Sequence, residues 1–279
     1  MATRLVDRPA VTRVRGALAA YWEAGGALLA EGLAYAALFA LLPAFLLLAG
    51  VTGLVLQDPA RRAAAVGGLA GLIPPLRTLI SEALDAVSGG AFSFSVVGLL
   101  GLTWGASRFY AALDDAFSLV FVGERRRGLV ARTLLGVATV VLLVVAFVGA
   151  VALGSVASFL EGALAFGGLG PLASAGRLLS PVAAALVAAG AVTLAYRVLP
   201  TRRLPWRIIA PVGLAVGVAL AVFTGLFTLL APRLIGSASV YGTFVAVFAA
   251  LVWLSLSFQA LLVGAAWLAT GEERGRPAR

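Results

Sequence analysis

The sequence predicts an all-α, polytopic membrane protein with six transmembrane helices and additional amphipathic helices at the membrane surface. Hydrophobic residues make up 62% of the 279 residues and charged residues only 12%, whereas soluble domains have about 45–50% apolar and about 25% charged residues. The mean hydropathy is +1.05. The apolar residues are gathered into six stretches, each about as long as the roughly 20 residues that a helix needs to cross the membrane.

The predicted organisation is one membrane domain between two short cytoplasmic segments. Residues 1–28 form an amphipathic N-terminal segment, residues 29–270 the six-helix domain and residues 271–279 a cytoplasmic tail. In the first segment, apolar side chains recur at helical spacing with arginines between them, which is typical of a helix that lies in the membrane interface. These apolar side chains are Val11, Val14, Leu18, Tyr21 and Trp22.

The six apolar stretches differ in ways that predict local structure. Pro43 lies near the middle of the first stretch and is expected to kink that helix. The second stretch contains no Pro or Gly between Ala106 and Val122, so a single helix over Phe92–Val122, about 46 Å long, is expected. The stretches are Gly32–Leu56, Phe92–Leu113, Thr133–Ser155, Pro181–Leu199, Ile208–Leu230 and Thr243–Leu268.

The longest connection, between the first two stretches, is predicted to hold an amphipathic helix at about 75–88. Pro75 suits the first turn of a helix, and Gly89 and Gly90 suit its end. The polar face includes Arg77 and Asp85, which would be costly at the bilayer centre. This helix is therefore expected to lie on the outer membrane face.

The distribution of arginine predicts the topology. All 21 basic residues are arginine, and the net charge is +9. With six spans, 16 of these arginines fall on the side of both termini, which the positive-inside rule places in the cytoplasm. The use of arginine in place of lysine, with abundant Ala, Gly, Leu and Val, suggests a GC-rich bacterial genome. We therefore expect a bacterial membrane protein whose partners are anionic lipid head groups, and not nucleic acid. The arginines on the other side are Arg61, Arg62, Arg77, Arg177 and Arg233.

Small residues recur every four positions in four places: Gly32/Ala36/Ala40, Gly101/Gly105, Ala150/Gly154 and Gly213/Gly217. Such ridges let membrane helices approach closely. Contact within one bundle is the favoured interpretation, and a homo-oligomer is the alternative.

Ionisable residues at membrane depth are functional candidates because charge is expensive in hydrocarbon. They predict a polar intramembrane cluster of Glu31, Arg108, Asp114 and Asp115. Arg108 and Asp115 share one helix face but are about 10 Å apart along the axis, so they cannot pair directly. In one interpretation the cluster lines a cavity for a charged small molecule or lipid head group. In the other, Arg108 extends to the interface and the two aspartates lie in the cytosol.

The chain contains no cysteine and no histidine. Thiolate nucleophiles, imidazole ligands and histidine-based acid–base catalysis are therefore excluded. No phosphate-binding loop or hydrolase motif occurs, and the glycine-rich stretch Gly167–Pro171 is expected to be a turn. We expect no enzymatic activity, no cofactor and no metal site.

Four stretches resemble the YihY/virulence factor BrkB family: Gly32–Leu48, Trp104–Phe121, Tyr196–Pro211 and Tyr241–Ala269. With the spacing between them, the resemblance covers about Ala17–Ala269. The chain departs from the family pattern at Ser118 and Phe121, where the family usually has Asn and then an aromatic residue. It departs again at Ala266, where the family's last span commonly ends in Glu.

The resemblance implies an integral inner-membrane protein with six spans but no settled biochemistry. A transporter-like protein that moves a small solute or lipid is one hypothesis, and a non-transporting envelope protein that docks partners is the other. A buried, water-accessible cluster beside Arg108 would favour transport, whereas a dry, well-packed bundle would favour the envelope role. A membrane-anchored ribonuclease is not expected, because the sequence lacks His, Cys and clustered carboxylates for catalytic metals.

Overall fold

The computed structural model describes residues 9–55, 91–121, 170–200, 204–235 and 242–273. Every regular element in these ranges is a helix, which confirms the all-α fold class for them. The predicted third span at 133–155 and the predicted outer helix at 75–88 lie outside the described residues. The helices are α1 (Pro9–Glu23), α2 (Gly26–Val55), α3 (Ala91–Val120), α4 (Gly170–Val198), α5 (Trp206–Ile235) and α6 (Gly242–Glu273).

Three of these helices contain a segment that is long and apolar enough to cross a membrane: Val96–Val120, Trp206–Leu230 and Phe244–Gly271. A fourth crossing is added if the bent pair formed by α1 and the first part of α2 counts as one span. In α4 the described apolar segment, Ala185–Val198, is shorter. The chain is therefore a multi-pass membrane protein, and its six-span count stays a prediction.

Each described helix that corresponds to a predicted span begins before that span does. Residues Gly170 and Pro171, expected from the sequence to lie in a turn, instead begin α4. Proline is well tolerated there because the first N–H groups of a helix have no partner in the helix. Pro43 lies inside α2. As predicted, α3 is one helix from Ala91 to Val120, about 45 Å long at 1.5 Å per residue.

A sharp turn separates α1 from α2. The two helices meet at 62°, and the chain turns at Gly25, which has a φ of 69°. Glycine suits this position because a side chain would be strained in the left-handed region. The Tyr21 ring lies so close to Gly26 that a Cβ there would overlap it. The sequence therefore fixes both the bend and the packing of α1 beside it.

Two compact units make up the chain. The first comprises Met1–Ala30, Leu113–Ala221 and Ser257–Arg279, and the second comprises Glu31–Ala112 and Val222–Leu256.

In the first unit, α4 and α5 approach closely at glycine. A Cβ on Gly217 would overlap the backbone of Ala189, and one on Gly213 would overlap Thr193. The core beside this contact is apolar and includes Phe117 and Tyr196, which are 1% and 0% exposed. The Gly213/Gly217 ridge thus packs within one chain, as the favoured interpretation predicted.

In the second unit, α2 and α3 make a similar contact. A Cβ on Gly105 would lie 2.7 Å from the Phe39 carbonyl oxygen and 2.9 Å from the Ala40 Cα, and one on Gly101 would lie 2.9 Å from the Pro43 ring. The Gly101/Gly105 ridge is therefore also used inside the chain. The Pro43 ring occupies the space that this ridge leaves open.

Candidate functional site

The exposed side of α3 carries the central residue of the predicted cluster. Arg108 is exposed, and its guanidinium carbon lies 5.6 Å from the centroid of the Trp104 ring. The indole is itself 56% exposed. Arg108 and Trp104 are four residues apart, so helical periodicity places them one above the other. We call these two residues the Arg–Trp pair.

The surroundings of the Arg–Trp pair are apolar or already hydrogen-bonded. Leu99 and Leu100 are 55% and 68% exposed. The hydroxyl of Thr103 donates to the Leu99 carbonyl oxygen at 2.7 Å, and that of Ser107 donates to the Trp104 carbonyl oxygen at 2.7 Å. These hydroxyl protons are engaged within α3, whereas the exposed guanidinium keeps N–H groups that can bind a ligand from outside.

The acidic candidates are distributed over both units. Glu31 belongs to the same unit as Arg108 and is exposed on α2. Asp114 and Asp115 belong to the other unit, where Asp114 is half-buried and Asp115 is exposed. Among the described residues no ion pair joins Glu31 to Arg108. Within the second unit, the described part of the chain therefore gives Arg108 no carboxylate partner in Glu31.

The Arg–Trp pair has the chemistry of an anion site at a surface. A guanidinium presents its N–H groups in a fixed fork that matches the oxygens of a phosphate or carboxylate. An indole face beneath it adds a cation–π attraction of about 0.5–1 kcal/mol at exposed positions. This attraction orients the side chain without occupying the donor fork.

Because Arg108 is exposed, its removal should have little effect on folding. We expect Arg108→Ala to lower the free energy of unfolding by about 0.5–1 kcal/mol, the value of the exposed cation–π contact. Arg108→Lys should lose less. Denaturation of the purified variants in mixed detergent micelles would measure both. A loss of about 3–5 kcal/mol for Arg108→Ala would instead indicate a buried, partnered guanidinium.

A second arginine at a helix end has a structural role. Arg197 donates from Nη1 to the Leu204 carbonyl oxygen, and its guanidinium carbon lies 5.6 Å from the Trp206 ring centroid. Arg197 thus fastens the last turn of α4 to the start of α5. A cation there also suits the negative end of the α4 dipole. The contact between Arg197 and Trp206 was not predicted, although both residues lie in the Tyr196–Pro211 stretch that carries the family resemblance.

Two further contacts were not predicted from the sequence. The hydroxyl of buried Tyr196 donates to the Leu261 carbonyl oxygen at 2.7 Å, joining α4 to α6. Arg13 of α1 lies 4.9 Å from the centroid of the Trp267 ring of α6. The partners are far apart in the chain, so no local pattern marks them. The second contact places the N-terminal helix beside the C-terminal end of α6.

The family departures lie at buried or hydrogen-bonded positions. The Ser118 hydroxyl donates to the Asp115 carbonyl oxygen at 2.8 Å, and the Phe121 ring stacks on Phe117 with centroids 6.2 Å apart. Ala266, where the family commonly has Glu, is 0% exposed. Within the described residues, no group of three or more acidic side chains is arranged to hold a metal ion.

Comparison with known proteins supports the family resemblance. No curated protein and no solved structure matches the chain. A family model described as Virulence factor BrkB matches residues 17–279. That match includes the Arg–Trp pair, the Arg197 contact and the whole of α6. The chain is therefore a multi-pass membrane protein that belongs to the virulence factor BrkB (YihY) family.

Proposed function

We propose that this protein is a transporter-like protein of the bacterial inner membrane that handles an anionic lipid at the exposed face of α3. The observation that carries the proposal is the exposed guanidinium of Arg108 on a helix that can cross the membrane. We propose no catalytic role for the chain.

A lipid ligand is favoured by what surrounds Arg108. Isolated Arg near the bilayer centre costs at least about 2.5–3.5 kcal/mol, and this cost falls when the side chain reaches water or a head group. The exposed neighbours Leu99, Leu100 and Trp104 suit acyl chains and the interface. A lipid phosphate above the Arg–Trp pair would neutralise the Arg108 guanidinium, which lies beside these apolar side chains.

The position of Arg108 along α3 agrees with a head group at one leaflet. At 1.5 Å per residue, Arg108 lies about 25 Å along the axis from Ala91, and the hydrocarbon core is about 30 Å thick. Arg108 is therefore near one boundary if Ala91 is near the other. The bias of 16 arginines toward one side supports the cytoplasmic leaflet and cytoplasmic termini.

Lipid binding by Arg108 can be tested with the purified protein. Native mass spectrometry would compare adducts of phosphatidylglycerol with those of phosphatidylcholine. We expect a preference for phosphatidylglycerol, and we expect Arg108→Ala to weaken its binding about fivefold, since one arginine near an anionic surface contributes about 1 kcal/mol. Arg108→Lys should retain part of the preference because the charge remains.

Arg207→Ala is the matched control, since Arg207 is an exposed arginine at the start of α5. It should leave the preference unchanged. Equal losses for Arg207→Ala and Arg108→Ala would show that general positive charge, and not the Arg–Trp pair, attracts the lipid. No preference in the unaltered protein would also contradict the proposal.

Movement of lipid is a separate measurement. In proteoliposomes with a fluorescent phosphatidylglycerol, dithionite quenches the lipid of the outer leaflet. We expect the protein to raise the quenched fraction above that of empty vesicles and Arg108→Ala to reduce the rate. Binding without movement would favour the non-transporting envelope role.

One observation favours that second candidate. The described core of the first unit is apolar and close-packed, with Tyr196, Leu262, Ala265 and Ala266 all 0% exposed. This core has the character of a rigid support. An envelope protein of this kind would bind lipid around its surface and would leave the fluorescent lipid in its original leaflet.

A further inference from the structure

The α1 helix has two different sides. Ala17 and Tyr21 are 1% and 3% exposed and form the inner side. Arg13 is exposed, but its guanidinium lies over the Trp267 ring of α6, and a Cβ on Gly271 would lie 2.9 Å from its Nη2. A cation–π contact and the adjacent C-terminal end of α6 both favour the guanidinium at this position. Arg13 therefore holds α1 on α6.

The outer side of α1 is apolar along one ridge and polar beside it. Val14, Leu18 and Trp22 are 45%, 40% and 65% exposed, and their four-residue spacing places them on one ridge. Arg15 and Glu23 are exposed, and helical periodicity places them on the polar flank. Arg15 is on the same side of the helix as Trp22, about 10 Å from it along the axis.

The direction of α1 limits what can cover this ridge. α1 joins α2 through the two-residue turn at Ala24 and Gly25 and is inclined to it by 62°. If the apolar helix α2 crosses the membrane, a helix so far from its direction approaches the membrane plane. An exposed apolar ridge, a Trp and an arginine on its border are the features of a helix that lies in the head-group region.

We infer that the membrane surface is the binding partner of the outer side of α1. Val14, Leu18 and Trp22 enter the head-group region of the leaflet, and Arg15 pairs with anionic head groups. Arg13, although exposed, lies over Trp267 and fixes the helix to α6. The covering partner is lipid because α1 continues directly into the membrane domain, which leaves its ridge at the bilayer. This inference is independent of lipid handling by Arg108.

The absence of cysteine from the chain gives a direct test. Single nitroxide labels are attached to Leu18→Cys and, as the matched control, Glu23→Cys in the full chain. Vesicles contain phosphatidylethanolamine and phosphatidylglycerol. The collision rate of the label with oxygen, which is enriched in lipid, is compared with its collision rate with a water-soluble nickel complex. The comparison reports whether the label lies in lipid or in water. The Leu18 label should meet oxygen preferentially, at a depth of about 5–10 Å, whereas the Glu23 label should meet the nickel complex.

Other outcomes would overturn the inference. A Leu18 label shielded from both agents, with dipolar broadening between labels, would show that a second copy covers the ridge. Shielding without broadening would show that a protein segment covers it. Free access of the nickel complex would place α1 away from the membrane.

Two variants separate the roles of the arginines. Arg15→Ala should abolish the difference in Leu18 depth between phosphatidylglycerol vesicles and neutral phosphatidylcholine vesicles. Arg13→Ala should leave the dependence on lipid charge intact and increase the mobility of the Leu18 label, because α1 is released from α6. Loss of the charge dependence in Arg13→Ala but not in Arg15→Ala would contradict the assignment.

Discussion

Replacement of Tyr196 by alanine is expected to lower the free energy of unfolding by about 3–5 kcal/mol, the range for truncating a large buried aromatic residue. The side chain is 0% exposed. Its ring centroid lies 6.2 Å from that of Phe117, and its hydroxyl contacts α6 at Leu261. Truncation would leave a cavity and remove the hydrogen bond between α4 and α6. Unfolding of the purified protein by sodium dodecyl sulfate, followed by tryptophan fluorescence, would measure the loss.

Tyr196→Phe separates the hydroxyl from the ring. The ring contacts stay, and the Leu261 carbonyl oxygen can remain an acceptor within its own helix. We therefore expect a loss of only about 1 kcal/mol, within the range for hydrogen bonds between membrane helices. The loss of unfolding free energy should therefore be at least about three times larger for Tyr196→Ala, about 3–5 kcal/mol, than for Tyr196→Phe, about 1 kcal/mol. Similar small losses would show that the Tyr196 site is not a close-packed part of the core.

The elements that sequence reasoning predicted best depend on local pattern. The uninterrupted apolar period and the lack of Pro or Gly after Ala106 predicted that α3 continues well past Arg108, and it does. Four-residue glycine spacing predicted where α5 and α3 approach other helices, but not at Gly32 of α2, where nothing lies within 4 Å of a Cβ built on the glycine. Both features are set by residues within a few turns, so the sequence shows them directly.

The start of α4 was predicted less well. The Gly–Pro pair at Gly170 and Pro171 suggests a turn, yet the same pair is compatible with the first turn of a helix. Apolar content also defined the predicted span from Pro181, whereas α4 begins at Gly170. Hydropathy marks the part of a helix that suits lipid, and it does not mark the helix end.

The candidate site required information that only the fold supplies. The sequence identified Arg108 as an ionisable residue near membrane depth, and both a polar cavity and the membrane interface were compatible with it. Exposure of Arg108 and its contact with Trp104 follow from how α3 is turned toward its neighbours. The Arg13–Trp267 and Tyr196–Leu261 contacts could not be predicted from the sequence either, because each joins distant parts of the chain.

The second large effect is expected at Gly217, where two helix backbones meet. A Cβ there would overlap the Cα, N and Cβ atoms of Ala189, and backbone atoms cannot rotate away as the end of a side chain can. Gly217→Ala must therefore push α5 from α4 and weaken a contact that small residues make possible. We expect a loss of about 1–3 kcal/mol or more, as for overpacked cores.

Gly225→Ala on the same helix isolates the cause. Gly225 is exposed, and nothing lies within 4 Å of a Cβ built there. The two substitutions change helix propensity alike, and alanine is favoured over glycine by up to about 1 kcal/mol. Gly225→Ala should therefore be neutral or slightly stabilising in the same detergent titration, while Gly217→Ala is destabilising. If Gly217→Ala and Gly225→Ala shift the midpoint of the unfolding transition equally, the close approach of α4 and α5 does not contribute to stability. A loss confined to Gly217→Ala would show that the glycine is retained for helix contact, because its conformational freedom is not used inside a regular helix.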